Sequence, residues 1–209
     1  MDKKTKLLYG VAINDADYVP SKCETIGYIN GKQKRKLVWS CPFYVKWNSM
    51  LARCYSEKSK VRNPTYQGCY VIEEWLTFSN FKSWMEQQDW EGKQLDKDLL
   101  SPGNKEYGPK TCVFVDAKVN TFTTERAARR GEYPIGVSFS KQDGKFNAMC
   151  RSVTTGKQEY LGMFKTAEEA HSAWLIFKLE QAYILAAEQN DEMVAKALID
   201  RYENYNKAA

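Results

Sequence analysis

Between residues 133 and 178 the hydrophobic positions keep two different rhythms. Apolar side chains alternate with polar ones at Ile135, Val137 and Phe139, again at Phe146, Ala148 and Cys150, and a third run spans 160–164. A period of two is that of a strand with one buried face. The separators 141–144 (Lys-Gln-Asp-Gly) and 154–157 (Thr-Thr-Gly-Lys) each carry a glycine suited to a tight turn. The period then changes. Thr166 with Glu169 makes a capping box, and Ala167, Ala170, Trp174 and Phe177 recur at helical spacing. The pattern predicts three short antiparallel strands with a helix on one sheet face.

The same reading organises the rest of the chain. Segments 25–30 and 34–39 flank Asn30-Gly31, a strong hairpin signal. Pro42 opens a helix through about Tyr55, with Tyr44, Trp47, Leu51 and Cys54 on one stripe. A charged loop (56–64), a short strand or turn (70–75) and a helix from Leu76 to about Gln88 follow; its Phe78, Phe81, Trp84 and Met85 have the spacing of a core stripe. Segments 95–100 and 111–115 have strand character around a turn at 101–104, and Asp116 caps a helix containing Asn120. The helix that begins near Thr166 continues past Lys178, and another runs from Asp191 to Tyr205. Tyr183, Ile184, Met193, Val194, Leu198, Ile199 and Tyr202 give this acidic tail an apolar stripe that packs on the core, or serves a partner or a second copy of the chain.

On the three predicted strands, alternation sends Ser138 and Ser140, then Lys145, Asn147, Met149 and Arg151, then Lys157 and Glu159, away from the helix, with Lys141 in the first turn. Such a face is either simply solvated or, being narrow, polar and cationic, fits a DNA major groove. The motif G-V-S-F…G-K-F-N-A…Y-L-G-M-F-K-T-A-E-E-A-H-S-A-W (136–174) resembles the AP2/ERF-type DNA-binding domain, which occurs in plant transcription factors and in phage homing endonucleases. The resemblance covers about a quarter of the chain. It implies a sheet lying in the major groove of double-stranded DNA. Ser138 stands where plant members carry Arg after Gly-Val, which removes one strong base contact.

Charge separates the chain further. The net charge is +5, yet residues 1–131 hold 22 Lys and Arg against 15 Asp and Glu, whereas residues 166–209 hold 4 against 8. The positive potential therefore lies on the front of the chain and on the strands, which suits a nucleic-acid partner better than a membrane. At the hairpin tip Lys32, Lys34 and Arg35 either grip phosphates or solubilise an edge. Arg126, Arg129 and Arg130 form a basic linker that crosses a DNA backbone or is a solvated hinge. The six cysteines lie far apart with no C-x-x-C pair, so reduced, mostly buried thiols are expected; the alternative is a zinc site that the fold assembles from Cys41, Cys54, Cys69 and Cys112. No apolar run is long enough to span a bilayer and no signal-peptide core is present, which points to the cytoplasm.

A second resemblance joins the remaining pieces. W-N-S-M-L-A-R-C-Y (47–55), E-E-W (73–75), L-D-K-D (95–98) and Y-G-P-K-T-C (107–112) are similar, in this order, to a phage group of HNH-like (His-Me finger) proteins over roughly residues 39–120. Such a nuclease uses one divalent cation and a His that activates water. The resemblance implies Mg²⁺ or Mn²⁺ on Asp96 and Asn120, with Asp98 close enough to help, and puts Lys97 in the place of the His. Lysine is a base only as the neutral amine, and the flanking carboxylates favour the ammonium. Asp96, Lys97 and Asp98 can equally form a strand-end ion-pair and cap cluster. His171, the single histidine, reads as an ordinary helix-face residue.

The expected architecture is α+β: an N-terminal hairpin region (1–38), a degenerate HNH-like ββα unit with flanking helices (39–124), a basic linker (125–134), an AP2-like three-stranded antiparallel sheet packed on a helix (135–187), and an acidic amphipathic helix (188–209). The expected function is binding of duplex DNA without efficient cleavage, in the cytoplasm of a bacterial host. The alternatives are a metal-dependent endonuclease or nickase using Asp96 and Asn120, and an inhibitor that acts on a host protein.

Overall fold

A computed structural model describes residues 7–124 and 132–205. The fold is α+β, with four separate small sheets among the described residues. The chain forms two compact units, Met1–Phe114 and Val115–Ala209. The helix that carries Asn120 thus belongs to the second unit, and the strand that carries Asp96 to the first. Among the described residues no helix is long and apolar enough to cross a membrane.

In the first unit, β1 (Ser21–Ile29) and β2 (Lys32–Ser40) form the expected hairpin; β1 starts four residues earlier than the sequence pattern marks and ends one earlier, and β2 is longer at both ends. Asn30 (φ 51°) and Gly31 (φ 74°) take the paired left-handed conformations that a two-residue hairpin turn requires. Pro42 sits in the first turn of α1 (Pro42–Tyr55), where its missing N–H costs nothing. Trp47, Met50, Leu51 and Cys54 of α1 are buried with Phe78, Phe81 and Met85 of α3 (Phe78–Met85). The Trp47 indole N–H donates to the Trp75 carbonyl at 2.7 Å, so the largest core side chain is satisfied. The expected long helix from Leu76 is instead a 3₁₀ turn (Glu73–Leu76) followed by α3, because Phe78 and Ile13 bond across the break.

Three further corrections concern element limits. The charged loop at 56–64 contains a short helix, α2 (Glu57–Arg62). Segment 70–75 is a two-residue strand, β3 (Tyr70–Val71), that pairs in parallel with β5 (Glu106–Tyr107). Segment 95–100 yields only β4 (Gln94–Asp96), paired with β6 (Val113–Val115), since the Asp96 carboxylate turns the chain there.

In the second unit, Asp116 caps α4 (Ala117–Thr123) through the Val119 amide at 2.7 Å. Strands β7 (Val137–Ser140), β8 (Lys145–Arg151) and β9 (Gln158–Phe164) form one antiparallel sheet in the order β7-β8-β9. Helix α5 (Ala167–Ala187) starts at the predicted capping box and covers the face bearing Ala148 and Cys150. Helix α6 (Glu192–Glu203) buries Val194, Leu198 and Tyr202 against this unit, and the Tyr202 hydroxyl donates to the Phe122 carbonyl at 3.2 Å. His171 Nδ1 donates to the Ile135 carbonyl at 2.9 Å and its ring stacks on Trp174, a structural role.

Candidate nucleic-acid interface

The sheet of the second unit presents four cross-strand rows on the face opposite α5. Ser140 pairs with Lys145, and Asn147 pairs with Ser138 on one side and Met163 on the other. Met149 pairs with Tyr160, and Arg151 with Gln158. Lys145, Met149, Arg151, Gln158, Tyr160 and Met163 are exposed, and Tyr160 is 59% exposed. Polar, cationic and amphipathic side chains therefore share one narrow surface.

Two of these residues correct the expected pattern on β9. An extra residue interrupts the register between Ala148 and Met149, at Leu161 on β9, and reverses the parity of the first half of the strand. Glu159, expected outward, instead pairs with Cys150 on the helix-facing side, and its carboxylate accepts from the Thr155 hydroxyl at 3.0 Å. Tyr160 and Gln158 take the outward places. Lys157 precedes β9 and is exposed. Nothing in the strict alternation marks this bulge, although the Leu161-Gly162 pair inside an apolar run is the kind of signal that goes with one.

The cationic members are held differently. Arg151 Nε donates to the Gly156 carbonyl at 2.8 Å, so the turn fixes the guanidinium direction. Lys141 and Lys145 are exposed around the first turn, where Ser140 donates to Asp143 Oδ2 at 2.6 Å. Asn147 is half-buried, and its Oδ1 is buried with no hydrogen-bond partner. Arg126, Arg129 and Arg130 lie outside the described residues.

In the hairpin of the first unit, Lys32 and Lys34 pair with Ile29 and Gly27 on one face, whereas Arg35 pairs with Thr25 on the other. The three basic residues named from sequence thus divide between two faces.

The residues implied for cleavage form a tight local network. Asp96 Oδ1 accepts from the backbone N–H groups of Asp98 at 2.7 Å and Leu99 at 2.8 Å. Lys97 is 4% exposed, donates to Asp98 Oδ1 at 2.6 Å and to the Asn104 carbonyl at 2.5 Å, and lies over the Tyr107 ring. Asn104 braces the turn by donating to the carbonyls of Lys97 at 3.1 Å and Glu106 at 2.7 Å. Tyr107 is buried, and burial holds its phenol well above the ordinary value, so it stays protonated. One oxygen each of Asp96 and Asp98 is thus already hydrogen-bonded within the chain, and the buried Lys97 ammonium is paired with Asp98. Asn120, on α4, belongs to the other unit.

Cys41, Cys54, Cys69, Cys112 and Cys150 are buried free thiols and Cys23 is exposed. Burial pushes Cys54 and Cys112 up to about 12. Among the described residues no three His, Cys, Asp or Glu side chains are grouped to hold a metal ion. No family model, curated protein or solved structure matches the chain.

Proposed function

We propose that this chain binds duplex DNA through the outward face of the β7–β8–β9 sheet and does not cleave it efficiently. The observation that carries the reading is the composition of that face. Its rows place Lys145 and Arg151 at the two ends, Asn147 in the middle, and Tyr160, Met149 and Met163 among them. A narrow sheet of this kind enters the major groove, where cations position the backbone and amide and apolar groups read base edges. On this reading the sheet is an AP2/ERF-type reading surface, and the region around L-D-K-D descends from an HNH nuclease. Lys97 fills the place of the catalytic His, and it is committed to Asp98 and Asn104 rather than to water.

A second reading, a factor that engages a host protein, is favoured by apolar side chains left in solvent on α5 and α6, among them Ile176, Tyr183, Ile184 and Met193.

The test is a labelled duplex titrated with the full chain over a range of salt, together with supercoiled plasmid and Mg²⁺ or Mn²⁺. Salt-sensitive binding that Lys145→Ala and Arg151→Ala weaken, without nicking, supports the proposal. Metal-dependent nicking lost in both Asp96→Ala and Asn120→Ala replaces it with an endonuclease. Absence of duplex binding overturns it.

A further inference from the structure

The β1–β2 hairpin is built unlike the rest of the chain. Every residue of both strands is exposed except Gly27 and Ser40, so neither face is covered. Tyr28 is 68% and Trp39 44% exposed. A two-stranded hairpin is marginal by itself in water, so a ribbon with both faces bare is suited to an external partner.

The register sorts its charges. Lys32 faces Ile29, Lys34 faces Gly27, Lys36 faces Glu24, and Lys22 faces Trp39, with bulges between Lys22 and Cys23 and between Thr25 and Gly27. Following the alternation through these bulges puts Lys22, Lys32, Lys34 and Lys36 on one face, together with Glu24, Ile29 and Trp39, and Tyr28, Arg35 and Leu37 on the other. Residues 21–40 hold five Lys and Arg against the single Glu24, +4, in a chain whose total is +5. Nearly all the excess charge therefore sits on this ribbon.

We infer that the β1–β2 ribbon is a second nucleic-acid contact, which lays its Lys22, Lys32, Lys34 and Lys36 face along the phosphate backbone of a duplex. Three physical points select this occupant. The major groove, about 12 Å wide, admits a two-stranded ribbon. On β2 the lysines recur at every second residue, about 6.8 Å apart, which is also the rise of two nucleotides of one DNA strand along the helix axis. A groove also has two walls, which accounts for Arg35 and the aromatic side chain of Tyr28 on the opposite face, where an acidic protein surface would meet one face only. The contact is electrostatic and sequence-independent, and it would hold the chain on DNA while a separate surface reads bases. It rests on the partner being a duplex, but not on the three-stranded sheet being the reader.

The experiment compares the full chain with a variant carrying Lys22→Gln, Lys32→Gln, Lys34→Gln and Lys36→Gln, and with the corresponding four Lys→Arg changes, on one labelled duplex over a salt series. All four side chains are exposed, so circular dichroism and melting serve as controls for folding. The Gln variant should lower the slope of log affinity against log salt by about 3.6, which is roughly a hundredfold loss at 50 mM relative to the loss at 200 mM, while the Arg variant keeps the original slope. An unchanged slope in the Gln variant overturns the ribbon contact. If Lys145→Ala and Arg151→Ala still weaken binding in that case, the sheet remains the interface and only the ribbon fails. If the Gln variant loses slope while the sheet variants bind normally, the ribbon stands and the sheet fails. Binding to poly-glutamate but to no duplex overturns both.

Discussion

Gly136 lies so close to Trp174 that a Cβ on it would stand 2.0 Å from the indole. The backbone there also has φ +83°, in the left-handed region. The start of β7 and the middle of α5 are thus locked by a contact that only glycine permits, and the outward face of the sheet is oriented by it. Gly136→Ala should destabilise the second unit by at least about 2 kcal/mol, from overpacking and backbone strain together. Chemical denaturation with near-ultraviolet circular dichroism would read the loss; a variant as stable as the native chain would show that the sheet and helix are not packed in this way.

Lys97 supplies a test of chemistry as well as stability. Its ammonium is buried and paired with the half-exposed Asp98. Asp98→Ala removes the carboxylate partner of a buried charge and should cost on the order of 1–2 kcal/mol, discounted because Asp98 faces solvent on one side. If this region descends from an HNH nuclease, Lys97→His supplies the residue type that such an enzyme uses, yet no nicking of supercoiled plasmid should follow, since position 97 is buried and one oxygen of each flanking carboxylate is already hydrogen-bonded. Nicking by Lys97→His with Mg²⁺ would show that only the base is missing.

Much of this architecture is legible before any coordinates, and the reasons are local. Asn30-Gly31, Pro42, Asp116 and the Thr166–Glu169 box each satisfy a specific backbone need, so each marks an element end reliably. The misreadings arise where a non-local interaction decides. Leu76 cannot continue into α3 because the Phe78 amide bonds to the Ile13 carbonyl. Residues after Asp96 lose strand structure because its carboxylate accepts from Asp98 and Leu99. The bulge at Leu161 turns Tyr160 outward against simple alternation. At the candidate site the cations and Asn147 are readable from sequence, and Met163, beyond the bulge, keeps the parity of simple alternation, but Tyr160 and Gln158 are not readable, because a single inserted residue inverts every assignment before it.

The buried thiols set an alkaline limit. Cys54 and Cys112 are raised from 9.0 to about 12 by burial. A group whose folded value lies above its unfolded value stabilises fully below the unfolded value and loses that contribution as pH rises toward the folded one. Stability should therefore fall between pH 9.0 and about 12, at roughly 1.4 kcal/mol per pH unit for each thiol. Denaturant midpoints across this range check it, and the Cys54→Ala, Cys112→Ala double variant should show a shallower fall. Maleimide at neutral pH should label Cys23 alone in the folded chain, because the other five thiols are buried.

Tyr160 and Glu159 are adjacent in sequence, and the bulge gives them opposite roles. Tyr160 pairs with Met149 on the outward face and Glu159 with Cys150 on the face toward α5. If duplex DNA meets the outward face, Tyr160→Ala removes a large amphipathic contact and should weaken binding by about 1 kcal/mol or more, roughly fivefold. Its exposure keeps the effect on melting small. Glu159→Gln should leave affinity close to native, although it removes a negative charge, because that carboxylate is held by Thr155 away from the groove. In the unbulged register the results would exchange: Glu159→Gln would tighten binding by relieving phosphate repulsion and Tyr160→Ala would be silent toward DNA but destabilising. Anisotropy titrations of the two variants on one duplex, read beside their melting curves, decide between the two faces.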